Sequence, residues 1–407
     1  MKKIPLKRYT FFKKVTAFLF LPAKWFVYHF KVKSKYKIAK GESVFVLANH
    51  QTDLDPILIN YSFNKLVTPV ATDTLFSNKF AYKFLPYAYG VIPKKKGVTD
   101  NQATIKMLKL LRGGGSILLF PEGNRTVAEF QFFITPKLAA FVKKTGSTLV
   151  LYKIQGGTGV SPRFGSKHRK GPFSGEITKV LKPEEYNQLS DEELNQIIKD
   201  GIKAFDSYSG CAYKSKTKAE YLERILFVCP KCLEANTLHS HKDTIKCEHC
   251  GLEVKYTEHL TFESSDKDFR FTYLNDWYQF QKRWIKEHEF VEDVIFNDDN
   301  IELYVSNPYE KRKVIAKGTM TLTKTKLICG EVSFDLKNII SASVIGGRKY
   351  SFTTNDNSYL VVGKGPFNPF KYVLLFNKLE TKMKDNTSQY FTLEEDLWWI
   401  YSQIMRH

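Results

Sequence analysis

The stretch Ser43-Val44-Phe45-Val46-Leu47-Ala48-Asn49-His50-Gln51-Thr52-Asp53-Leu54-Asp55-Pro56 runs from an apolar segment straight into a polar loop. Ser43 to Ala48 predicts a buried strand of the kind that α/β sheets are built from. Thr52 and Asp53 suit helix caps, and Pro56 suits a first helical turn. The strand therefore ends by delivering His50 and Asp55 into one small volume, where α/β folds keep their chemistry. An imidazole with a carboxylate partner is a common device for taking a proton from an alcohol.

Two later segments repeat the pattern of an apolar run followed by polar or cationic groups. They are Gly90-Val91-Ile92-Pro93-Lys94-Lys95-Lys96-Gly97 and Ile117-Leu118-Leu119-Phe120-Pro121-Glu122-Gly123-Asn124-Arg125-Thr126. Three strand ends would thus offer a base, a cation cluster and a Glu/Arg pair to one hydroxyl-bearing, phosphorylated substrate. Gly113 to Gly115 read as a helix stop before a strand rather than a phosphate loop, because no Gly-Lys-Ser/Thr follows.

At these residues the chain resembles the 1-acyl-glycerol-3-phosphate acyltransferases of the glycerolipid acyltransferase superfamily. The family's Asn-His-x-(Ser/Thr)-x-x-Asp is matched by Asn49, His50, Thr52 and Asp55, followed by Pro56. Its Gly and Ile-Pro-basic motif is matched by Gly90, Ile92, Pro93 and Lys96, with lysine where arginine is more usual. Phe-Pro-Glu-Gly-x-Arg-(Ser/Thr) is present in full as Phe120 to Thr126. The fourth motif departs from the pattern, Leu151 standing in Val150 to Ile154 where proline is expected.

The resemblance covers about the first half of the chain and implies an α/β fold, a mixed, mostly parallel sheet flanked by helices. It also implies acyl transfer from an acyl-CoA or acyl-carrier protein to the sn-2 hydroxyl of 1-acyl-glycerol 3-phosphate, giving phosphatidate. Another lysophospholipid is the alternative acceptor. On this likeness His50 is the general base, and Asp55 holds its other ring nitrogen. Arg125 would grip a phosphate and Lys96 add a point charge, with Glu122 bracing Arg125 or a substrate hydroxyl. Gly123 would let the backbone approach closely, and Thr126 completes the motif. A thioester is already activated, so no covalent acyl-enzyme is needed. In keeping with this, no Gly-x-Ser-x-Gly elbow or cysteine lies near the motifs.

At 407 residues two or three domains are expected, and a formal charge of +20 with pI ≈ 9.4 points to polyanionic partners. Lys2 to Lys40 contains no acidic residue, while Phe11, Phe18, Trp25 and other aromatic residues interleave the lysines. That mixture suits an anionic lipid surface. The longest uncharged run there, Val15 to Ala23, is about half of what a membrane span needs, and no signal-peptide cleavage site follows. The expectation is a peripheral protein on the cytoplasmic face of a membrane; the alternative is a core helix with a basic outer face.

Cys229-Pro230-Lys231-Cys232 and Cys247-Glu248-His249-Cys250 are two knuckles at zinc-ribbon spacing. Four thiolates on one structural zinc would close the site to chemistry. A zinc ribbon on a basic chain also allows a nucleic-acid binder. Glu234, Glu248 and Glu253 in the ribbon, and basic residues crowded at the other end of the chain, weigh against that, so no nucleic acid is expected. Period-two runs from Val294 to about Leu379 predict a small antiparallel sandwich or barrel. With a closing helix from Leu393 to Met405, this part resembles a pleckstrin-homology or GRAM-like domain. The expected organisation is a basic aromatic segment (1–40), an acyltransferase domain (41–224), a zinc ribbon (225–258), a helical connector (259–293) and a β-rich domain (294–407).

Overall fold

The computed structural model describes residues 4–22, 24–25, 28–72, 75–76, 79–94, 100–131, 133–307 and 310–384. Lys96 and the expected closing helix from Leu393 to Met405 lie outside the described residues.

The first sheet contains β1 (Phe30–Val32), β2 (Val44–Ala48), β3 (Thr68–Thr72), β4 (Ile92–Lys94), β5 (Ile117–Leu119), β6 (Thr148–Gln155) and β7 (Phe173–Leu181), in the order β1-β7-β6-β2-β5-β3-β4. Strands β6, β2, β5, β3 and β4 run parallel, and β7 runs antiparallel to β6. It is the mixed, mostly parallel sheet that the motifs imply. The C-terminal ends of β2, β4 and β5 therefore share one edge.

Strand β2 lies at the centre with every residue fully buried. Its alternate side chains feed two different cores. Phe45 and Leu47 join Met107, Leu138, Val142 and Ile198, which come from α4 (Asn101–Arg112), α5 (Lys137–Thr145) and α8 (Asp191–Ile202). Val44, Val46 and Ala48 join Leu58 and Ile59 of α2 (Asp55–Asn60) on the other face. Two covered faces explain why β2 is apolar throughout rather than alternating. The remaining helices of this half are α1 (Leu6–Leu19), α3 (Lys79–Tyr89), α6 (Gly157–Val160) and α7 (Pro183–Tyr186). Helix α4 is capped by Asp100, which accepts from the Ala103 amide at 3.0 Å, and it stops at Gly113, as the sequence predicts.

The residue pattern from Asp191 through Tyr208 and on to Arg224 reads as helical, but α8 ends at Ile202. Lys203 is extended, and Asp206 turns inward to accept from the amides of Gly156, Thr158 and Gly159. Those tertiary bonds replace the helical ladder that the residue pattern favours.

A four-stranded antiparallel sheet follows, from β8 (Leu238–His241), β9 (Thr244–Cys247), β10 (Glu253–Tyr256) and β11 (Phe262–Glu263). Helix α9 (Leu274–Glu287) clasps it, with Trp277 fully buried and its indole N–H donating to the Val228 carbonyl at 2.9 Å.

The third sheet holds β12 (Val294–Val305), β13 (Lys313–Thr323), β14 (Lys326–Cys329), β15 (Val332–Asp335), β16 (Ser341–Ile345), β17 (Lys349–Thr353) and β18 (Ser358–Gly363) in the antiparallel order β15-β14-β13-β12-β18-β17-β16. Strands do not continue to Leu379: α10 (Pro369–Lys384) takes over and buries Tyr372, Leu375 and Phe376. A dense apolar run carries no period of its own, so strand and buried helix read alike there. One continuous apolar core links all three sheets, taking in Val46, Phe164, Phe227, Ile245, Trp277 and Tyr372.

Candidate functional site

His50 leaves the end of β2 and meets Asp55 in the first turn of α2. Its Nδ1 lies 2.9 Å from Asp55 Oδ2. Asp55 is fully buried and also accepts from the Gln51 amide (2.6 Å), the Thr52 amide (2.9 Å) and the Thr52 hydroxyl. Acting only as an acceptor, the carboxylate obliges Nδ1 to donate. That tautomer leaves Nε2 with a free lone pair, the form a general base requires. The imidazole stacks on Phe120 of the third motif, centroids 4.1 Å apart and planes within 16°, which restricts its rotation. Asn49 fixes the loop from the other side: its amide group donates to the Ile154 carbonyl (2.8 Å) and accepts from the Ile154 amide (2.7 Å), tying motif one to β6.

Arg125 is turned toward the protein. Its Nε donates to the Gln51 carbonyl (2.5 Å), Nη1 pairs with Asp53 (3.2 Å), and Nη2 donates to the carbonyl and hydroxyl of Ser161. The side chain is 10% exposed against 76% for Asp53, so the Asp53 pair is the solvent-facing one. Arg125 thus binds motif three to motif one. Glu122 and Thr126 are buried beside it, and the Thr126 amide donates to the His50 carbonyl at 2.7 Å. Gly123 sits at φ +65° in a turn closed by its amide on the Phe120 carbonyl, with open space around the site a Cβ would take. Handedness, not crowding within the protein, calls for glycine there. In motif two, Gly90 (φ +65°) lies under Tyr9 of α1, where a Cβ would fall 2.7 Å from the ring. Lys94 ends β4 two strands away from β5, at the same sheet edge as His50.

A buried carboxylate pair behind the loop escaped the sequence reading. Asp206 accepts from the side chains of Gln51 (3.2 Å) and Gln155 (2.7 Å) and from three backbone amides, while Glu129 accepts from Ser207 and Thr158. Gln51 in turn accepts from the Gly157 amide at 2.8 Å, so the residue next to His50 is locked from behind. Burial and the neighbouring Asp206 charge push the Glu129 carboxyl up to about 7, and burial raises Asp206 as well. No motif or spacing marks either residue; only the fold brings positions 51, 129 and 206 together.

A second constellation forms where the ribbon knuckles meet. The four sulfurs of Cys229, Cys232, Cys247 and Cys250 lie within 4.8 Å of one another. The Cys229–Cys250 and Cys232–Cys247 separations are 3.6 and 3.7 Å. A disulfide needs about 2.05 Å, whereas sulfurs about 2.3 Å from a tetrahedral zinc stand ~3.8 Å apart. The two knuckles are built alike. Each first cysteine carbonyl accepts from the amide four residues on, Leu233 or Gly251, and both of those residues have positive φ. The donor set therefore fits one tetrahedral metal ion.

Comparison with known proteins bears on the first half of the chain. The acyltransferase family model matches residues 29–155, a span that contains His50, Asp55, Glu122 and Arg125. None of the curated proteins compared matches the chain. Among solved structures, the 1-acyl-sn-glycerophosphate (LPA) acyltransferase PlsC from Thermotoga maritima is similar over 48% of this chain and 76% of its own, at 20% identity and a TM-score of 0.39. The span that matches the acyltransferase family, residues 29–155, is thus the one that holds the His50/Asp55 pair.

Proposed function

We propose that the protein transfers a fatty acyl group from an acyl thioester to the sn-2 hydroxyl of 1-acyl-glycerol 3-phosphate. The observation that carries this reading is the buried Asp55 holding Nδ1 of His50 at 2.9 Å, at the sheet edge where β2, β4 and β5 end. Nε2 of His50 takes the proton of the acceptor hydroxyl as the alkoxide attacks the thioester carbonyl. The resulting imidazolium is stabilised by Asp55 and returns the proton to the departing thiolate. The acceptor phosphate finds positive charge at Arg125, whose Asp53 partner is exposed and exchangeable, and at the lysines following β4, among them Lys96. Glu122, Gly123 and Thr126 shape the wall between these groups.

Purified full-length protein supplied with acyl-CoA and 1-acyl-glycerol 3-phosphate in mixed micelles is expected to release CoA and form phosphatidate. Parallel assays with acyl-carrier protein and with choline or ethanolamine lysophospholipids assign the donor and acceptor. Absence of transfer to every lysolipid overturns the reading.

The same reading places the protein on an anionic membrane surface, at the cytoplasmic face, as a peripheral enzyme. Helix α1 packs Tyr9 and Phe12 inward but turns other large apolar side chains out, which supports this. Lys13 is its buried residue, donating to the carbonyls of Phe63 and Lys65, and burial pulls its pKa down to about 8. Phe11 (61%), Phe18 (72%) and Leu19 (66%) are exposed, at helical spacings that put Phe11, Val15 and Phe18 on one face. Trp25 adds another exposed ring. Aromatic rings held outward among lysines suit the headgroup region. In vesicle flotation, the triple variant Phe11→Ser/Phe18→Ser/Trp25→Ser is expected to lose ~100-fold or more of its binding to anionic vesicles. Binding equal to the parent's removes the proposal.

The four-cysteine cluster is assigned to a structural zinc ion. All four ligands come from the protein, which leaves no open position for substrate or water. Its contribution is to the fold, not to acyl transfer.

A further inference from the structure

The peptide unit joining Arg125 to Thr126 is held from both sides. Its N–H donates to the His50 carbonyl at 2.7 Å, and its C=O accepts from Nη1 of Arg163. A carbonyl engaged by a cation polarises its own peptide and strengthens the bond that the N–H makes. Arg163 is thus one peptide group away from the backbone of the proposed base.

The other end of Arg163 belongs to a different part of the molecule. Nη2 donates to the Val344 carbonyl in β16 at 3.1 Å, and the guanidinium carbon lies 5.2 Å from the ring centre of Phe370 in α10. The side chain is 6% exposed, has no ion pair among the described residues, and its Nε has no hydrogen-bond partner. An apolar residue would fill this position at less cost, because an unpaired buried cation is expensive. What arginine adds is two directed donors aimed at carbonyls in two different domains.

The C-terminal sheet also presses on this segment through its backbone. Gly347, in the turn between β16 and β17, has φ +74°, and a Cβ there would fall 2.4 Å from the Arg163 carbonyl oxygen. Arg348 reaches the Gly165 carbonyl (3.4 Å), and Arg224 bridges the carbonyls of Phe164 and Gly365 (3.1 Å each). Residues 161–165 are therefore gripped by the C-terminal half on one side. On the other, Ser161 receives Arg125.

We propose that Arg163 is a positioning residue through which the C-terminal β domain sets the placement of His50. This rests on the reading of His50 as the general base. A shift of the β domain is transmitted through the Arg125–Thr126 peptide to the residue that must meet the substrate hydroxyl. Acyl transfer is then conditional on the docking of a domain that contributes no catalytic group.

The test uses full-length protein carrying Arg163→Met, Arg163→Lys or Gly347→Val, the last acting from the C-terminal sheet alone. Each is read by kcat, KM, thermal unfolding and the rate at which diethyl pyrocarbonate modifies His50, followed by peptide mass spectrometry. Arg163→Met and Gly347→Val are expected to lower kcat by about 10- to 100-fold with KM within about twofold of the parent. Both are expected to change the His50 modification rate at least ~3-fold, while Arg163→Lys, keeping a donor toward Arg125, recovers part of the loss. Folded variants with the parent's kcat and His50 reactivity overturn the proposal. Should Arg163→Met or Gly347→Val fail to fold, Arg163→Lys and Phe370→Leu carry the same readouts and decide it. A parent inactive toward every lysolipid counts against the acyltransferase reading; His50 reactivity, which needs no substrate, still decides the coupling.

Discussion

Replacing His50 with alanine is expected to lower kcat for acyl transfer by about 10²- to 10⁴-fold, with KM for the thioester nearly unchanged. Nδ1 is committed to a carboxylate with no donor of its own to offer, so Nε2 is the basic atom, and the ring is held by Phe120 at 4.1 Å. Alanine removes that base but few of the contacts that hold the loop. The loop's own bonds run through the His50 carbonyl, the Asn49 side chain and Asp55, all of which survive the substitution. The lost ring stack is worth about 1 kcal/mol, so the variant should unfold within a few degrees of the parent. Residual turnover would come from positioning alone. Substitution of Asp55 is a less clean experiment, because two amides and a hydroxyl would lose their acceptor in a fully buried place. A His50→Ala enzyme that turns over within about threefold of the parent would remove His50 as the base.

Loss of the metal centre is expected to be the largest effect on stability. The parent should hold about one zinc ion per chain by plasma mass spectrometry, and Cys229→Ser/Cys247→Ser should hold none. Zinc binding in small four-ligand domains is worth roughly 10–16 kcal/mol, as much as the whole stability of an ordinary domain. The sheet β8–β11 is small, and its strands bury only Leu238, Ile245, Val254, Tyr256 and Phe262 as large apolar side chains besides Cys247. Cys229 and Cys247 lie in the same continuous core as Trp277 and Phe227, so the damage will spread beyond the knuckles. The expected results are protease cleavage within 225–258 and a lowered, broadened thermal transition. A parent purified from zinc-replete cells with no metal and four freely titratable thiols would end the zinc assignment.

How much of this was legible in advance varies with the physics behind each feature. Strand β2 and its loop could be read because both signals are local: an apolar run long enough for a strand, then polar residues at fixed offsets. The knuckles were legible for the same reason, since a Cys-x-x-Cys turn places both thiolates within a few residues. The antiparallel ladder of 294–363 showed its period of two. The boundary at Gly363 did not show, because the apolar stretch that becomes α10 is buried on several sides and has lost its amphipathic stripe.

Partners distant in sequence were beyond such reading. Arg125 has cationic character whatever surrounds it. That its donors fall on Gln51, Asp53 and Ser161 depends on the crossing of three chain segments. Lys13 is one of many lysines in the N-terminal segment, and its burial, with Phe11 and Phe18 left outward, follows from how α1 packs over Phe63 and Lys65.

By itself, then, the sequence determined the chemical inventory: a histidine and an aspartate at hydrogen-bonding offset, a Glu-Gly-x-Arg turn after a buried strand, and two thiolate pairs at metal-binding spacing. These depend on separations of a few residues, over which backbone geometry leaves little choice. The tertiary structure alone decided which groups support that inventory. It set Asp206 behind Gln51 and brought Arg163 between Val344 and the Arg125–Thr126 peptide. Those contacts join residues 38 to 181 positions apart, and packing rather than local pattern selects them.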